Sequence, residues 1–447
     1  MNKGRAVLIL KNEGAMGVVA SAARISTQMG TALEIYSGSG DRERDLKLVK
    51  KVLASGHKSV TEHQTFSIAF DDVSVLTEQF VIEFRLASFT VKSRRYVDFS
   101  DAGYVIPADM SDAVQSIYCD RCSYLFKVYG RLLDMGIPKE DARFVLPYGF
   151  RSNFYVTLNA RELMAMIIAM LHGRGREYPE LVFLGRQLYA QFDEIYPGVL
   201  ESEMAKAPSE IIEDSDGPIL AGEPREATIH IVSAPQHPVA ALDAAMRFSG
   251  RFTGFDAENM RALMQDARPR ELEILNYCFR IDDVSLACVT HFTRHRMLTL
   301  LLRHELSALT EGNYVLPESV KANPEALEVY QQAFEAQSEA AARVREAGAS
   351  ADQLAYFAMA GHTTSMMIGI NGRELLHFMK LRSCSRAQWE IRGIARAMIE
   401  LVNETDARPI FGGFGPTCAV TGHCPEGKMC CGHPVTIENG VWRRGNE

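Results

Sequence analysis

The C-terminal end of the chain collects residues that could bind a soft metal ion. The cysteines and histidines of this segment are Cys418, His423, Cys424, Cys430, Cys431 and His433. Tetrahedral Zn²⁺ takes four thiolates or imidazoles that tight turns bring together, and Pro425, Gly427 and Gly432 are turn formers. The spacing matches no standard zinc ribbon. The four cysteines are therefore predicted zinc ligands, with unligated thiols as the alternative.

A second segment, 294–296, reads Arg-His-Arg and concentrates positive charge. Guanidinium groups hold phosphate oxygens in bidentate fashion and stack on planar rings. Such a pair of arginines could hold an anionic ligand, but alone it is more often part of a solvated surface. The sequence contains no GxGxxG loop, so a dinucleotide would not be held in the Rossmann manner.

The elements that must position these residues come in two copies. The DDVS sequence at 71–74 recurs at 282–285, and two further matches keep nearly the same offset. Three matches in register indicate duplication of a whole domain. The predicted parts are a first repeat at 1–204, a linker rich in proline and acidic residues at 205–226, a second repeat at 227–412 and a Cys-rich tail at 413–447.

Each repeat combines short strand patterns with longer helical ones. Residues 6–12, 67–74 and 227–233 are rich in Val, Ile and Leu, which predicts strands. Apolar residues recur at helical spacing over 113–136, 159–172, 184–195, 324–347 and 385–403. We therefore expect an α+β fold in which each repeat forms a mixed sheet covered by helices.

Composition limits the classes of function. The chain has 447 residues, 47% hydrophobic and 23% charged, which is typical of a soluble globular protein with two or three domains. A net charge of -8 argues against nucleic acid as a partner, although a local cationic pocket could still bind a mononucleotide. The apolar run near the N-terminus is too short for a signal or membrane segment, so we expect a cytoplasmic protein without a membrane partner.

Several motifs together resemble the flavin-dependent thymidylate synthase family, whose signature RHRxxSxNxxSxRY precedes an ARxVLP segment and a helix ending in AQWEI. The second repeat keeps the opening of this signature at 294–296 and the helix at 371–391. The first repeat keeps the end of the signature at 88–96 and the ARFVLP segment at 142–147. Residues 57–63 resemble a flavin-contacting segment of the family, and we expect no equivalent of it in the second repeat.

The losses in the two repeats are complementary. The first repeat has Glu83-Phe84-Arg85 where the second has Arg-His-Arg, and Met170 where the second has Arg382. The second repeat has Ala355 where the first has Arg143. In the family the active site forms between subunits of a homotetramer. The resemblance therefore implies one composite site per pair of repeats and a homodimer of the fused chain.

The resemblance also implies roles for individual residues. The substrate-binding residues would be Ser93, Arg95, Tyr96, Arg143, Arg294 and Arg382. The residues that bind FAD would be His57, Ser59, Glu62, Arg294, His295, Arg296, Asn371, Arg373 and His377. Arg382 would be catalytic, because a cation near O2 and N3 of uracil stabilises charge on the ring. FAD carries the redox step, so no Cys or Ser nucleophile is required.

Three functions follow from these motifs. The first is reductive C5 methylation of dUMP by a thymidylate synthase that uses methylenetetrahydrofolate, reduced FAD and NADPH. The second is C5 methylation of another uridine nucleotide, since Glu83, Thr90, Val91, Leu301 and Leu302 depart from the family at positions that help to bind the substrate. The third is a non-catalytic relative that binds a nucleotide.

Overall fold

The computed structural model of the protein describes residues 4–11, 14–208, 210, 218–303, 305–438 and 441–444. Parts of the predicted linker and of the predicted tail lie outside these residues.

The first repeat alternates strands with helices. Its elements are β1 (Arg5–Lys11), α1 (Ala15–Ile25), α2 (Ala32–Ser37), α3 (Arg42–Ala54), β2 (Thr65–Ser74), α4 (Val75–Ile82), β3 (Ala87–Val91), α5 (Asp112–Asp134), α6 (Lys139–Ala142), β4 (Arg151–Asn159), α7 (Ala160–Leu171), α8 (Pro179–Asp193) and α9 (Val199–Met204). Short 3-10 helices are formed by Lys58–His63, Arg143–Val145 and Arg174–Glu177.

The second repeat also alternates strands with helices, and the tail adds a short helix and a pair of strands. Their elements are β5 (Pro224–Arg225), β6 (Thr228–Ser233), α10 (Pro238–Ser249), α11 (Ala257–Gln265), β7 (Asn276–Ser285), α12 (Leu286–Phe292), β8 (Thr299–Leu302), α13 (Glu305–Glu311), β9 (Tyr314–Val315), α14 (Glu318–Lys321), α15 (Pro324–Glu346), α16 (Ala351–Ala355), β10 (Thr363–Asn371), α17 (Gly372–Arg382), α18 (Trp389–Asn403), α19 (Arg408–Phe411), α20 (Thr417–Thr421), β11 (Val435–Glu438) and β12 (Val441–Arg444). Arg270–Ile274 and Gly427–Met429 form 3-10 helices.

Each repeat contains a four-stranded sheet with one strand order. The order is β1-β2-β4-β3 in the first repeat and β6-β7-β10-β8 in the second. The α+β architecture and the duplication are thereby confirmed. Every pairing in the two sheets is antiparallel, so the expectation of mixed sheets was wrong in this detail. The predicted helices are present, although the last of them begins at Trp389 rather than at 385.

The repeated DDVS sequence forms the same bend in both repeats. Asp72 and Asp283 have φ values of 53° and 58°, and among the described residues they are the only non-glycine residues with positive φ. Aspartate tolerates this left-handed conformation better than most side chains do. Two residues later, Ser74 and Ser285 cap the helices that follow, because their hydroxyl oxygens accept the backbone N–H of Thr77 and Cys288.

A buried carboxylate completes this junction in each repeat. Glu180 accepts the backbone N–H of Ser74 at 2.8 Å and its hydroxyl at 2.6 Å. In the same way, Glu390 accepts the backbone N–H and the hydroxyl of Ser285 at 2.7 and 2.5 Å. The end of the central strand, the start of the next helix and the start of α8 or α18 are thus tied together by charge-assisted hydrogen bonds.

The chain folds into two compact units whose bounds differ from those of the repeats. One unit comprises residues 1–222, 309–312 and 317–360, and the other comprises 223–308, 313–316 and 361–447. In the first unit α15 packs along α5, and the side chain of Arg121 donates to that of Gln337. The backbone N–H of Tyr148 donates to the carbonyl of Ala358 at 2.6 Å. Residues 317–360 are therefore part of the core that the first repeat builds.

The two sheets carry the cores of their units. In the first unit Met164, Met166 and Met170 are buried, which confirms that they pack in the core. In the second unit Phe279 and Ile368 of the sheet pack with the helical residues of one continuous apolar cluster. Within the described parts of the chain, no helix combines the length and apolar character needed to cross a membrane.

We expect Ser285→Ala to lower the free energy of unfolding of the second unit by about 2 to 4 kcal/mol, since it removes a helix cap and leaves Glu390 without a buried hydroxyl partner. Ser74→Ala should do the same in the first unit. Chemical denaturation measures both effects. The control is Ser55→Ala, an exposed C-cap serine, which should change the stability by less than about 0.5 kcal/mol. Equal effects of all three variants would contradict the importance of the junction.

Candidate active site

Helix α17 presents several of the predicted residues to one cavity. Asn371 caps the helix by accepting the backbone N–H of Glu374 at 2.9 Å. Arg373, His377 and Lys380 follow at positions i, i+4 and i+7, so they share one face of the helix. All four line a cavity of about 320 Å³ in the second unit, together with Glu374. The structure therefore brings together three residues predicted to bind a cofactor, namely Asn371, Arg373 and His377.

Lys380 is a cation of this cavity that the motif comparison missed. Burial lowers the pKa of Lys380, and its Nζ donates to the carbonyl oxygen of Met264 at 3.0 Å. An anionic ligand in the cavity would therefore stabilise the charged form of this side chain. Its position two turns after Arg373 on the same helix face is a sequence signal that could have identified it.

The ion pair at the cavity wall corrects one expectation. Arg373 Nη1 donates to Glu273 Oε1 at 2.5 Å, and in the first repeat Arg161 Nη1 donates to Glu62 Oε1 at 2.6 Å. Glu62 and Glu273 belong to matching 3-10 helices that precede the central strands. The expectation that the second repeat lacks an equivalent of 57–63 was therefore wrong for the glutamate alone, because Glu273 stands at the position of Glu62 at the offset of the DDVS match. The positions of His57, Ser59 and His63 are occupied by other residue types in the second repeat.

Behind the cavity a buried histidine links a carboxylate to the predicted catalytic arginine. His295 is only 4% exposed, and its Nδ1 lies 2.8 Å from Oε1 of Glu374. Arg382 Nε donates to Nε2 of His295 at 2.9 Å, and Arg382 Nη2 donates to the carbonyl oxygen of His291 at 3.3 Å. Glu374, His295 and Arg382, which we call the relay, thus form a continuous chain of hydrogen bonds.

The relay fixes the tautomer of His295. An arginine side chain can only donate hydrogen bonds, so Nε2 of His295 must be the unprotonated nitrogen. Nδ1 must then carry the proton and donate the hydrogen bond that Glu374 accepts. Burial lowers the pKa of His295 below its ordinary value, while the hydrogen bond to Glu374 acts in the opposite direction. His295 is therefore neutral at pH 7, and the buried carboxylate faces the charge of Arg382 across a neutral ring.

The same residues are a poor metal site. Ligand atoms of His295, Glu374 and His377 lie within 4.8 Å of one another. However, both ring nitrogens of His295 already have partners, and one of these is the cation Arg382. A metal ion would have to displace a charge-assisted hydrogen bond and lie beside a guanidinium group. We therefore interpret the cluster as a hydrogen-bonding relay.

The flanking arginines of the Arg-His-Arg segment differ from its histidine. Arg294 and Arg296 are exposed, and neither belongs to the residues that line the cavity. Met297, the next residue, does line it. The segment leaves α12 at this point, which directs His295 inward between the two arginines. The roles predicted for Arg294 and Arg296 stay predictions.

The predicted phosphate residues of the first repeat share one partner. Arg95 forms an ion pair with Glu140, with Nε 3.0 Å from Oε1, and Arg143 Nε donates to the carbonyl oxygen of Glu140 at 3.0 Å. Arg143 is buried, whereas Tyr96 is exposed and lies under the guanidinium group of Arg95. Ser93 Oγ accepts the backbone N–H of Arg95. The structure thus groups Ser93, Arg95, Tyr96 and Arg143 around Glu140 in the first unit.

The first repeat has a counterpart of the cavity in which apolar side chains replace two polar ones of the helix, although charged residues such as Arg161 and Lys206 still line it. This space, about 480 Å³, is lined by Met164, Ala165 and Ile168 at the positions of Leu376, His377 and Lys380. Residues 206–208 and 210, from the start of the predicted linker, also line it. Glu210 accepts the backbone N–H of Arg174 at 2.7 Å. His57 and Ser59 are exposed and do not line this space, so their predicted role in cofactor binding stays a prediction.

Two of the tail cysteines, Cys424 and Cys430, have neighbouring thiols. The backbone N–H of Gly432 donates to Sγ of Cys430 at 3.5 Å. A hydrogen bond with the backbone of Glu426 lowers the pKa of Cys424, while the neighbouring thiol of Cys430 raises it, and the net direction is upward. In the described residues, Cys418, Cys424, Cys430 and Cys431 do not form a closed set of ligand atoms. Their zinc site stays a prediction.

Metal analysis of the purified protein tests the tail. A bound zinc ion should be stoichiometric in the native chain and lost in Cys424→Ser, because that variant removes one of four ligands. Cys384→Ser is the control, since this half-buried cysteine lies outside the tail. The absence of stoichiometric metal from the native chain would remove the zinc prediction.

The fold and the site define a duplicated α+β protein in which the second repeat has a cationic cavity with a guanidinium group held beside it. The family described as thymidylate synthase complementing protein matches the chain twice, over residues 7–198 and 231–406. The chain therefore belongs to this family as a tandem protein of two copies. The predicted resemblance is confirmed, and so is the prediction of an enzyme at the level of the family.

Two flavin-dependent thymidylate synthases agree with this assignment. The flavin-dependent thymidylate synthase of Geobacter sulfurreducens is 34% identical over 170 residues, which are 37% of this chain and 72% of that protein. The enzyme of the same name from Thermococcus onnurineus is 31% identical over 177 residues, 38% of this chain and 69% of that protein. A solved structure of the UMP/dUMP methylase PolB from Streptomyces cacaoi is 24% identical, with a TM-score of 0.37, and covers 46% of this chain and 96% of that one.

Proposed function

We propose that the chain is a flavin-dependent thymidylate synthase that methylates C5 of dUMP with methylenetetrahydrofolate as the carbon donor, NADPH as the reductant and FAD as the cofactor. The observation that carries this proposal is the arrangement of α17, which lines one cavity with Asn371, Arg373 and His377 and holds Arg382 through a buried histidine. The names of the relatives support the reaction.

The residues of the second-repeat cavity fit part of a flavin dinucleotide. Its volume of about 320 Å³ lies at the lower end of the range for small-molecule sites, roughly 300 to 1,000 Å³. Arg373 and Lys380 would attract the pyrophosphate, and Asn371 offers an amide for hydrogen bonds. His377 is exposed at the wall and could stack on a planar ring. Bound FAD, once reduced by NADPH, would supply the electrons that reduce the transferred carbon to a methyl group.

The side chains that we assign to the nucleotide have two tasks. Ser93, Arg95 and Arg143 would hold the phosphate, and their shared partner Glu140 orients the two guanidinium groups before the anion binds. Arg382 would stabilise the negative charge on the ring carbonyls of uracil when C5 acts as the nucleophile. That both groups act in one composite site of a homodimer stays a prediction.

The departures from the family signature leave a second substrate as an alternative. Thr90 and Val91 lie on the edge strand β3, and Leu301 and Leu302 lie on the matching edge strand β8. These four residues depart from the family at positions that help to bind the nucleotide. Another uridine nucleotide is therefore the alternative substrate. Tritium release from C5-labelled dUMP and C5-labelled UMP, with and without the folate, distinguishes the two substrates.

Arg382→Ala should strongly slow tritium release while the protein stays folded, because the side chain is only half-buried and the change removes no apolar core volume. We expect a loss of about 100-fold or more in kcat, as for other groups that stabilise developing charge. Circular dichroism and flavin content should match the native chain. Unchanged turnover in this variant would refute the role of Arg382.

We also expect one flavin per chain rather than two, since the counterpart cavity of the first repeat has Ala165 and Ile168 in place of His377 and Lys380. Flavin absorbance of the purified protein against its concentration measures the ratio. Arg373→Ala should reduce flavin content, whereas the matched variant Arg161→Ala should not. Two flavins per chain, or equal losses in both variants, would contradict a single flavin site. A colourless protein unable to bind FAD would favour the non-catalytic relative.

A further inference from the structure

We propose that Glu374 and His295 are positioning residues that aim the guanidinium group of Arg382 at the nucleotide. The inference rests on the proposed function and deepens it, because it assigns a task to two buried groups that need not touch the substrate. Its basis is the geometry of the relay, in which each group has a defined donor or acceptor role.

The relay determines the direction of one edge of the Arg382 guanidinium group. Its Nε is directed at Nε2 of His295 and its Nη2 at the carbonyl oxygen of His291. Two contacts on one edge of a planar fork determine the plane and the direction of the whole guanidinium group. A misdirection of even 1 Å at such a group can cost about 100-fold in rate.

Glu374 determines whether His295 can perform this task. An imidazole accepts a hydrogen bond at Nε2 only when its proton is on Nδ1. Glu374 selects that form by accepting a hydrogen bond from Nδ1–H. The carboxylate also makes the ring a stronger acceptor for Arg382. Phe378 packs against the ring with centroids 4.8 Å apart, which prevents rotation of the imidazole. In this arrangement a carboxylate orients a histidine, as in catalytic triads, and the histidine in turn orients an arginine.

The first repeat supports this interpretation because it has lost the relay as a unit. Glu162 stands in the place of Glu374 and is positioned by the same asparagine cap, but Phe84 replaces His295 and Met170 replaces Arg382. Glu162 instead accepts the backbone N–H of Leu86 at 3.2 Å. A carboxylate at this position is therefore compatible with the fold in the absence of the histidine and the arginine. The fold alone does not account for the hydrogen bond between Glu374 and His295.

The relay predicts a particular pH dependence. The groups whose charge acts on His295 are Glu374, Arg382 and His377, all on α17, and His291 on α12 contacts Arg382 through its carbonyl oxygen. Protonation of His295 would place two cations in contact and break the bond to Arg382. Activity should therefore fall as the pH drops through the pKa of His295, which burial holds below 6.5. Because Glu374 raises that pKa, its removal should move the acid limb to lower pH.

The test compares Glu374→Gln with the matched variant Glu162→Gln. Glutamine keeps an oxygen that can accept the hydrogen bond from Nδ1–H of His295, and the substitution removes only the charge. Glu374→Gln should lower kcat for dUMP methylation about 10- to 100-fold, as is usual for carboxylates that orient a functional imidazole. Flavin content and the KM for the folate should stay unchanged, and the acid limb of the kcat profile should shift to lower pH. Glu162→Gln should behave like the native chain.

Two results would overturn the proposal. One is a native acid limb in Glu374→Gln, and the other is an equal loss of kcat in both variants, which indicates a general effect on folding. Nitrogen-15 chemical shifts of the His295 ring provide a readout that does not depend on turnover. They should show a protonated Nδ1 and an unprotonated Nε2 in the native chain. If the native chain does not methylate dUMP, the proposed function fails, while these shifts still confirm or exclude the relay.

Discussion

A carboxylate buried at the end of the central strand holds each repeat together. Glu180 and Glu390 each accept two hydrogen bonds from one serine, at the point where the strand ends and the next helix starts. Burial raises the pKa of Glu180, and the hydrogen bonds from Ser74 oppose that shift. A buried carboxylate that lost these donors would be strongly destabilising, so the junction specifies one arrangement of strand and helices. In the second repeat α12 leaves this junction and delivers His295 to the relay.

The two repeats show how one scaffold can keep or lose a polar site. The positions of His295, His377 and Arg382 are occupied in the first repeat by Phe84, Ala165 and Met170. At the positions of His295 and Arg382 the replacement removes a group that needs a hydrogen-bonding partner when it is buried, and substitutes an apolar side chain that gains from burial. The sheet order is unchanged, because it depends on the strands and on the serine and glutamate pair. The side chains at these positions have therefore diverged without a change of fold.

Much of this organisation could be predicted from the sequence, and the remainder has identifiable physical reasons. The repeats, the long helices and the grouping of Asn371, Arg373 and His377 follow from periodicity and motif spacing. Glu273 escaped the motif comparison because no histidines flank it, although the repeat offset indicates its position. The burial of His295 and its tautomer depend on contacts between residues about 80 positions apart, which spacing cannot supply. The packing of α5 against α15 likewise depends on contacts between residues far apart in the sequence.

The composition of the first compact unit has a consequence for synthesis of the chain. Its core needs Tyr356, whose hydroxyl donates to Glu180 at 2.8 Å, and the backbone of residues 358–360. These residues leave the ribosome long after residue 222, and more than half of the second repeat is translated in between. At about 5 to 20 residues per second, the delay is roughly 7 to 28 s. The nascent first repeat must therefore remain incomplete during that interval, with its apolar surface accessible to chaperones.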